Sequence, residues 1–370
     1  MKKKLLYEIS IIRPLIIFLL VVYHSLCVFT GGWNPPQGVP SNAFYWWMGR
    51  LISGFRIETI AFVGGYVFCY QCVELARRQG FFSFVWKKFK RLIIPCFLFG
   101  IVYYFLYRFN PARFSVNVAF WRVANGIGHL WFLPMLFWCF LAGWLLDRLI
   151  AILARWGRTW QLVAASVLLV ALAVLSLCRF SGLRMGLTRA PYFLFYFYLG
   201  YFLRFVAGDS RRWTARVGVV ALLWVLYAVF ILVRLQMSTL RLPGFAFECP
   251  HWLRGASLTT LHLVNLAHTS LGILALYTSV SLWLSRHRAA DDAQPGTFLR
   301  ECSRQCYGVY VLHMFFMQYI YFFSPFPAWC CGSALGVWLM PWLVLAVTLL
   351  LSVASTTLLL KTRFGQFLIG

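Results

Sequence analysis

The sequence contains very few acidic residues. Asp and Glu number 9, against 34 Lys and Arg, and all charged types make up only 12% of the chain. Soluble domains contain about 25% charged residues, whereas 62% of this chain is hydrophobic. A soluble fold cannot bury so much apolar surface, so the composition excludes a soluble enzyme and predicts that lipid surrounds most of the chain.

The formal net charge of +25 has three interpretations: an anionic membrane surface, an anionic ligand or a nucleic acid. The lysines and arginines are scattered between apolar runs, which is typical of the cytoplasmic loops of membrane proteins held by anionic headgroups. An anionic ligand is a secondary interpretation. The expected partner is therefore the lipid bilayer, and no nucleic acid.

Clustered metal-binding residues are missing from the sequence. The 11 cysteines are spread singly, most of them inside apolar runs, so we expect free thiols rather than a disulfide framework. The pair Cys302 and Cys306 lacks nearby ligands, and no metal site is predicted. The sequence also contains no His-Glu-x-x-His pattern, glycine-rich phosphate loop or Gly-x-Ser-x-Gly elbow.

Long apolar runs organise the whole chain. A membrane-spanning helix needs about 20 apolar residues, and this criterion predicts an all-α polytopic protein with ten transmembrane helices. Proline or glycine clusters separate several of the runs, for example 31–36 and 242–244. The predicted spans are 9–29, 45–72, 92–108, 130–147, 160–178, 190–207, 216–235, 258–284, 306–323 and 335–360.

The basic residues also predict the orientation. Met1 is followed by Lys2, Lys3 and Lys4, and the apolar run that follows has no small-x-small cleavage site, so we interpret it as a retained first helix. With the amino terminus in the cytoplasm, most of the lysines and arginines fall on the cytoplasmic side. Both termini are then cytoplasmic, residues 1–370 form a single domain, and the expected location is the inner (cytoplasmic) membrane.

Two ionisable residues stand out in the first span. Arg13 and His24 are eleven positions apart, about three helical turns and about 16 Å along the axis, so they share nearly the same helix face. An arginine near the inner surface suits a phosphate, and a neutral imidazole deeper in the membrane suits proton transfer. Alternatively, Arg13 extends to lipid headgroups and His24 hydrogen-bonds a neighbouring helix.

Glu58 is the acidic residue of an otherwise apolar stretch of the second span. A charge inside the bilayer costs about 2.5–3.5 kcal/mol and usually faces a partner or a cavity. One interpretation is an ion pair with Arg56 or with an arginine of another span. The other is a functional role, in which the carboxylate orients a histidine or holds a substrate hydroxyl.

Six short motifs follow one another along the chain: the Arg13 to His24 spacing, Ala61–Phe68, the basic loop Phe84–Pro95, Gly128–Leu133 with His-Leu-Trp-Phe-Leu, Tyr198–Tyr201 and Tyr307–His313. Together, in this order, they resemble the membrane acyltransferase-3 family. The chain departs from the family pattern at Pro14, Ala61, Gly64 and Lys88, where the family usually has a small residue, Phe, Ser and Arg.

The resemblance implies transfer of an acyl group, most often acetyl, from coenzyme A to a hydroxyl of a cell-surface glycan. His24 would be the general base and Glu58 the carboxylate that fixes its tautomer, although a covalent acyl-histidine relay is also possible. No tightly bound cofactor is expected, since acyl-CoA is a substrate. Its phosphates would meet Arg13, Lys87, Lys88, Lys90 and Arg91, and His129, Trp131 and His313 would line the substrate pocket.

Two other classes of protein fit the pattern of buried charges. A transporter or flippase for a lipid-linked sugar also places charged residues inside the membrane, and inverted repeats would favour it. A non-catalytic scaffold is the third interpretation, but it leaves the Arg13 and His24 pattern unexplained.

Overall fold

The computed structural model describes residues 6–178, 180–207, 216–237, 258–287 and 296–370. Within these ranges the chain is helical almost throughout and contains no strand, which confirms the all-α fold class. The predicted cytoplasmic lysines Lys2, Lys3 and Lys4 and the predicted break at 242–244 lie outside the described residues.

Sixteen α-helices are numbered in chain order through the described residues, and short 3-10 and π-helical turns join several of them. The helices are α1 (Tyr7–Ser25), α2 (Cys27–Thr30), α3 (Ala43–Ser53), α4 (Arg56–Cys69), α5 (Phe81–Lys88), α6 (Ile94–Tyr107), α7 (Val116–Ala124), α8 (Phe132–Ile152), α9 (Arg158–Leu177), α10 (Ala190–Ala207), α11 (Val217–Met237), α12 (Leu258–His287), α13 (Thr297–Phe322), α14 (Phe326–Cys330), α15 (Ala334–Leu360) and α16 (Arg363–Ile369).

The described helices identify a multi-pass membrane protein. Eight helical segments are long and apolar enough to cross a membrane. The other two predicted spans, 190–207 and 306–323, also fall on helices, α10 and α13. Tyrosines lower the hydropathy of α10, and Arg300, Glu301 and Arg304 lower that of α13.

The predicted span 45–72 is a broken helix. Helix α3 ends before Gly54, and α4 begins at Arg56. Gly54 faces His268 of α12 so closely that a Cβ atom there would lie 2.4 Å from the histidine Nε2. The break therefore lies where two helices approach each other without an intervening side chain.

The predicted basic loop before Pro95 is helical, so this part of the prediction is wrong. Lys87 and Lys88 end α5, and Phe89–Ile93 form a π-helical turn that leads into α6. Nothing between Phe81 and Ile94 breaks a helix, because the segment contains no proline or glycine. The wider π turn ends two positions before Pro95, whose missing N–H and bulky ring disfavour a regular α-helical turn in the residues before it.

The chain divides into two compact units. The first consists of Met1–Thr59 and Ser210–Thr356. Within it, α1 packs against α3, α12 and α13, and α11 packs against α12. Helix α13 approaches α15 closely at Gly308, where a Cβ atom would lie 2.3 Å from Cγ2 of Thr356. A glycine is needed at this position for the two helices to come so near.

The second unit consists of Ile60–Asp209 and Thr357–Gly370. Helix α10 packs on α8 and α9, and Gly65 of α4 lies directly against the carbonyl oxygen of Phe197 on α10. Arg204 is buried, and its Nε and Nη2 atoms each donate a hydrogen bond to one carboxylate oxygen of Glu74. This bidentate pair ties α10 to the π turn that ends α4.

Candidate active site

In the first unit, helices α1 and α13 lie side by side and run in the same direction. At one end, Ser303 Oγ donates a hydrogen bond of 3.1 Å to the carbonyl oxygen of Ser10. At the other end, the buried Tyr321 hydroxyl donates a 2.5 Å bond to the carbonyl oxygen of Ser25. These two bonds hold the facing side chains in register along both helices.

Two histidines meet between these helices. Nδ1 of His24 on α1 lies 3.1 Å from Nε2 of His313 on α13. His313 is fully buried and His24 is half-buried. The other ring nitrogen of His313, Nδ1, lies 2.7 Å from the carbonyl oxygen of Tyr310 and 3.1 Å from that of Val309. The two imidazoles therefore form a hydrogen-bonded dyad.

The hydrogen-bond partners assign the tautomers of a neutral dyad. A carbonyl oxygen only accepts, so His313 carries its hydrogen on Nδ1 and donates it to the backbone of its own helix. Its Nε2 then holds a lone pair and accepts the hydrogen of His24 Nδ1. His24 consequently carries its own lone pair on Nε2, which is the form of imidazole that removes a proton.

Aromatic side chains surround His24. Trp33 stacks on the imidazole, with ring centres 6.1 Å apart and planes inclined by 10°. Trp33 also contacts the rings of Tyr321 and Phe322 edge-on, and its backbone N–H donates to the carbonyl oxygen of Cys27. The segment after α2 thus covers one face of His24 with a large apolar ring and limits the water that reaches it.

Arg13 lies on the same side of α1 as His24. Its charge is within electrostatic reach of the Cys306 thiol on α13, just as His24 reaches His313 on that helix. The face predicted from the spacing thus has a neighbour on α13 at both positions, Cys306 beside Arg13 and His313 beside His24. Arg13 is half-buried.

Glu58 lies elsewhere in the first unit. One oxygen of its half-buried carboxylate, Oε2, is inaccessible to solvent, and its charge is felt by Tyr227 on α11. Arg56 forms no ion pair with it; the described contacts of Arg56 are the carbonyl oxygen of Ser53 at 3.1 Å and the Tyr23 ring. The described hydrogen-bond partner of His24 Nδ1 is His313. The role of Glu58 in fixing the His24 tautomer therefore stays a prediction.

The second unit contains a basic pocket of about 100 Å³. Two of the predicted phosphate-binding residues, Lys87 and Lys88, line it, and Nζ of Lys88 lies 3.3 Å from the ring centre of Phe140. Five cations and one carboxylate face this pocket: Arg77, Arg78, Lys87, Lys88, Arg148 and Asp147.

Asp147 fixes part of the pocket wall. Its carboxylate accepts a 3.2 Å hydrogen bond from Arg78 Nε and a 2.8 Å bond from the Tyr201 hydroxyl. Arg148 donates to the backbone carbonyl of Gln79, which holds the segment between α4 and α5 against α8. One carboxylate cannot balance five cations, so the pocket keeps a net positive charge that suits phosphate groups.

Lys90 and Arg91 do not line this pocket. Lys90 lies over the ring of Trp86 at 5.6 Å, and Arg91 is exposed. Both follow the pocket lysines on the π turn. Of the four predicted residues on this segment, the structure thus brings only Lys87 and Lys88 together in one cavity.

The remaining predicted pocket residues have described neighbours in the second unit. His129 is buried and meets the Tyr103 ring edge-on, with ring centres 6.1 Å apart. Trp131 is half-buried beneath the guanidinium of Arg189, 4.1 Å from its ring centre, and contacts Phe193. Both residues belong to the 3-10 turn that opens α8.

The comparison with known protein families decides the class of this dyad-containing protein. Residues 6–361 match the acyltransferase-3 family, whose description is acyltransferase domain. The chain belongs to this family. The resemblance predicted from the six motifs is confirmed, and the protein is a membrane acyltransferase. No curated protein and no solved structure matches the chain.

Several residues of the acyltransferase were not predicted from its sequence. Trp33 falls in a glycine- and proline-rich break, and stacking on His24 has no local sequence signal. Arg78, Arg148 and Asp147 belong to none of the six motifs. The one available signal was Asp147 itself, an acidic residue near the end of an apolar run, where a charge usually has a partner.

Proposed function

We propose that this acyltransferase moves an acyl group, most simply acetyl, from acyl-CoA to a hydroxyl of a cell-surface polysaccharide or related glycan, with His24 as the general base. The observation that carries the proposal is the dyad, because its hydrogen bonds leave the lone pair of His24 on Nε2. Family membership supports acyl transfer as the reaction type. The proposed location is the inner membrane.

In the proposed reaction, His24 Nε2 removes the proton from the acceptor hydroxyl while its oxygen attacks the thioester carbonyl. The tetrahedral intermediate then expels the coenzyme A sulfur, and the proton on Nε2 passes to this leaving group. One ester bond forms and one thioester bond breaks, so no oxidant or further reactant is required. While His24 is positively charged, His313 stabilises it by accepting the hydrogen of Nδ1.

The donor phosphates are proposed to bind basic side chains. Lys87 and Lys88 support this role because they line a positively charged cavity together with Arg148. Arg13, Lys90 and Arg91 keep the same proposed role from the family resemblance. Arginine and lysine at such sites neutralise phosphate charge before the uncharged thioester arm enters a less polar region.

The proposal is tested with the full chain purified into lipid nanodiscs. Radiolabelled acetyl-CoA is offered with neutral and acidic glycosides, and both the labelled glycoside and the released thiol are measured. The wild type is expected to form labelled ester, and His24→Ala is expected to be slower by about 10²–10⁴-fold, the usual contribution of a general base.

His287→Ala is the matched control, because His287 is an exposed histidine at the end of α12 and its loss should leave the rate unchanged. Wild-type activity in His24→Ala would remove His24 from the mechanism. Transport of unmodified glycoside without thiol release would instead favour a carrier.

A further inference from the structure

Three arginines converge beside the histidine dyad in the first unit. The guanidinium of Arg56 lies 3.4 Å from the ring centre of Tyr23. Tyr23 is the residue before His24, and the centres of these two rings are 5.6 Å apart. Arg50 is within electrostatic reach of both Tyr23 and Arg234. Helices α3 and α4 thus each direct one positive charge toward Tyr23 of α1, and α11 adds a third charge within electrostatic reach of Arg50.

These charges are poorly compensated. Among the described residues, neither Arg50, Arg56 nor Arg234 forms an ion pair, and the Nε atoms of Arg50 and Arg56 are buried without a hydrogen-bond partner. Within the part of the chain that the structure describes, the carboxylate whose charge reaches this region is Glu58, next to Tyr227. A buried cationic N–H without a partner is strongly unfavourable, and inside a membrane such groups mark substrate sites.

A second observation at the same place is the fully buried His268. Neither of its ring nitrogens has a hydrogen-bond partner among the residues that the structure describes. Its ring stacks on Tyr227 at 5.0 Å, and Arg234 lies within electrostatic reach. A neutral imidazole has one donor and one acceptor, so His268 adds an unused donor and an unused acceptor beside the arginines.

We propose that Arg50, Arg56 and Arg234 bind a negatively charged group of the acceptor, which makes an acidic glycan the preferred substrate class. An anion held by these arginines lies next to Tyr23, so that a hydroxyl on the same sugar reaches His24. Arginine suits this role because its fork of N–H groups binds carboxylate and phosphate bidentately. This inference rests on the proposed transfer to a glycan hydroxyl.

The first test measures binding without catalysis. Thermal stabilisation of the purified full chain is compared for methyl glucuronide, methyl glucoside and glucose 6-phosphate, which share one sugar scaffold. The two acidic probes are expected to stabilise the wild type at concentrations where methyl glucoside does not, and their ratio distinguishes a carboxylate from a phosphate. Equal effects of all three probes would overturn the inference.

The second test uses variants. Arg50→Gln with Arg234→Gln should weaken binding of the acidic probe by about tenfold or more, which corresponds to about 1.4 kcal/mol, and leave the neutral probe unaffected. Arg50→Lys with Arg234→Lys should retain part of the affinity for the acidic probe. Arg122→Gln is the control, because Arg122 is an exposed arginine of α7. Unchanged acidic-probe binding in a correctly folded Gln variant would refute the inference.

Acyl transfer to the same probes separates this inference from the proposed function. Selective binding of acidic probes without any transfer would count against the proposed function alone. Transfer to the glucoside and the glucuronide with equal KM values would count against the arginine site alone.

Discussion

His313 offers the sharpest prediction, because its role depends on one hydrogen-bond acceptor. In the wild type its Nε2 accepts the hydrogen of His24 Nδ1 at 3.1 Å. Replacing His313 with Ala removes this acceptor from a fully buried position and leaves His24 Nδ1–H without its partner. Replacing it with Gln can restore an acceptor, because the amide oxygen reaches about as far from the backbone as Nε2.

The size of the effect follows from the energy of that bond. A buried donor left unsatisfied costs about 1–3 kcal/mol, so His313→Ala should lower kcat by about 5- to 150-fold. His313→Gln should lie between Ala and the wild type. Both variants should remain faster than His24→Ala, because they weaken the orientation of the base and keep the base itself.

The assay is release of the coenzyme A thiol at saturating acetyl-CoA and glycoside, with protein level and melting temperature measured in parallel. His287→Ala again serves as the control. If His313→Ala has the kcat of the wild type, the hydrogen bond has no catalytic role. If His313→Gln is as slow as His24→Ala, then His313 itself takes part in the chemistry, and the assigned roles of the two histidines are wrong.

Two further predictions concern helix packing and donor binding. Gly308→Ala should lower the melting temperature, because the new Cβ would lie 2.3 Å from Cγ2 of Thr356. Adding Thr356→Ala should restore most of the lost stability. No restoration would mean that α13 and α15 do not pack as described. Lys88→Gln should raise the KM for acetyl-CoA by about tenfold, since it removes one charge from the basic pocket. The kcat and the KM for the acceptor should stay nearly unchanged. A change in the acceptor KM alone would mean that acetyl-CoA binds elsewhere.

The helices and their apolar character could be predicted from the sequence because hydropathy is a local property. Each of the ten predicted spans is helical among the described residues, although 9–29 and 45–72 are each divided between two consecutive helices. The break at Gly54 could not be predicted, because it lies at a close contact with His268 of another helix. The helical conformation of Lys87 and Lys88 is a local property of a segment without proline or glycine, and there the family motif misled the prediction toward a loop.

Part of the candidate site could also be predicted. Arg13 and His24 share a face because helix geometry fixes that relation. The pairing of His24 with His313 could not be predicted, because it depends on which helix packs beside α1, and 289 positions separate the two residues. The family motif indicated that His313 lines a pocket, whereas its hydrogen bond to His24 required the three-dimensional structure.

The arginine cluster illustrates the same limit. Arg50 and Arg56 could each be read from the sequence as charges at the edge of one span, where extension to headgroups is the usual explanation. Their convergence with Arg234 becomes visible only when α11 is placed beside α3 and α12. Three unremarkable charges thereby become one site with an excess of positive charge.

The central claim is that His24 presents an unprotonated Nε2 because His313 accepts the hydrogen of Nδ1. Nitrogen-15 NMR of histidine-labelled protein in nanodiscs measures this directly, with the His24 signals identified by their loss in His24→Ala. The account predicts a neutral ring with its hydrogen on Nδ1, and a shift of the tautomer equilibrium in His313→Ala. A His24 hydrogen found on Nε2 in the resting enzyme would contradict it.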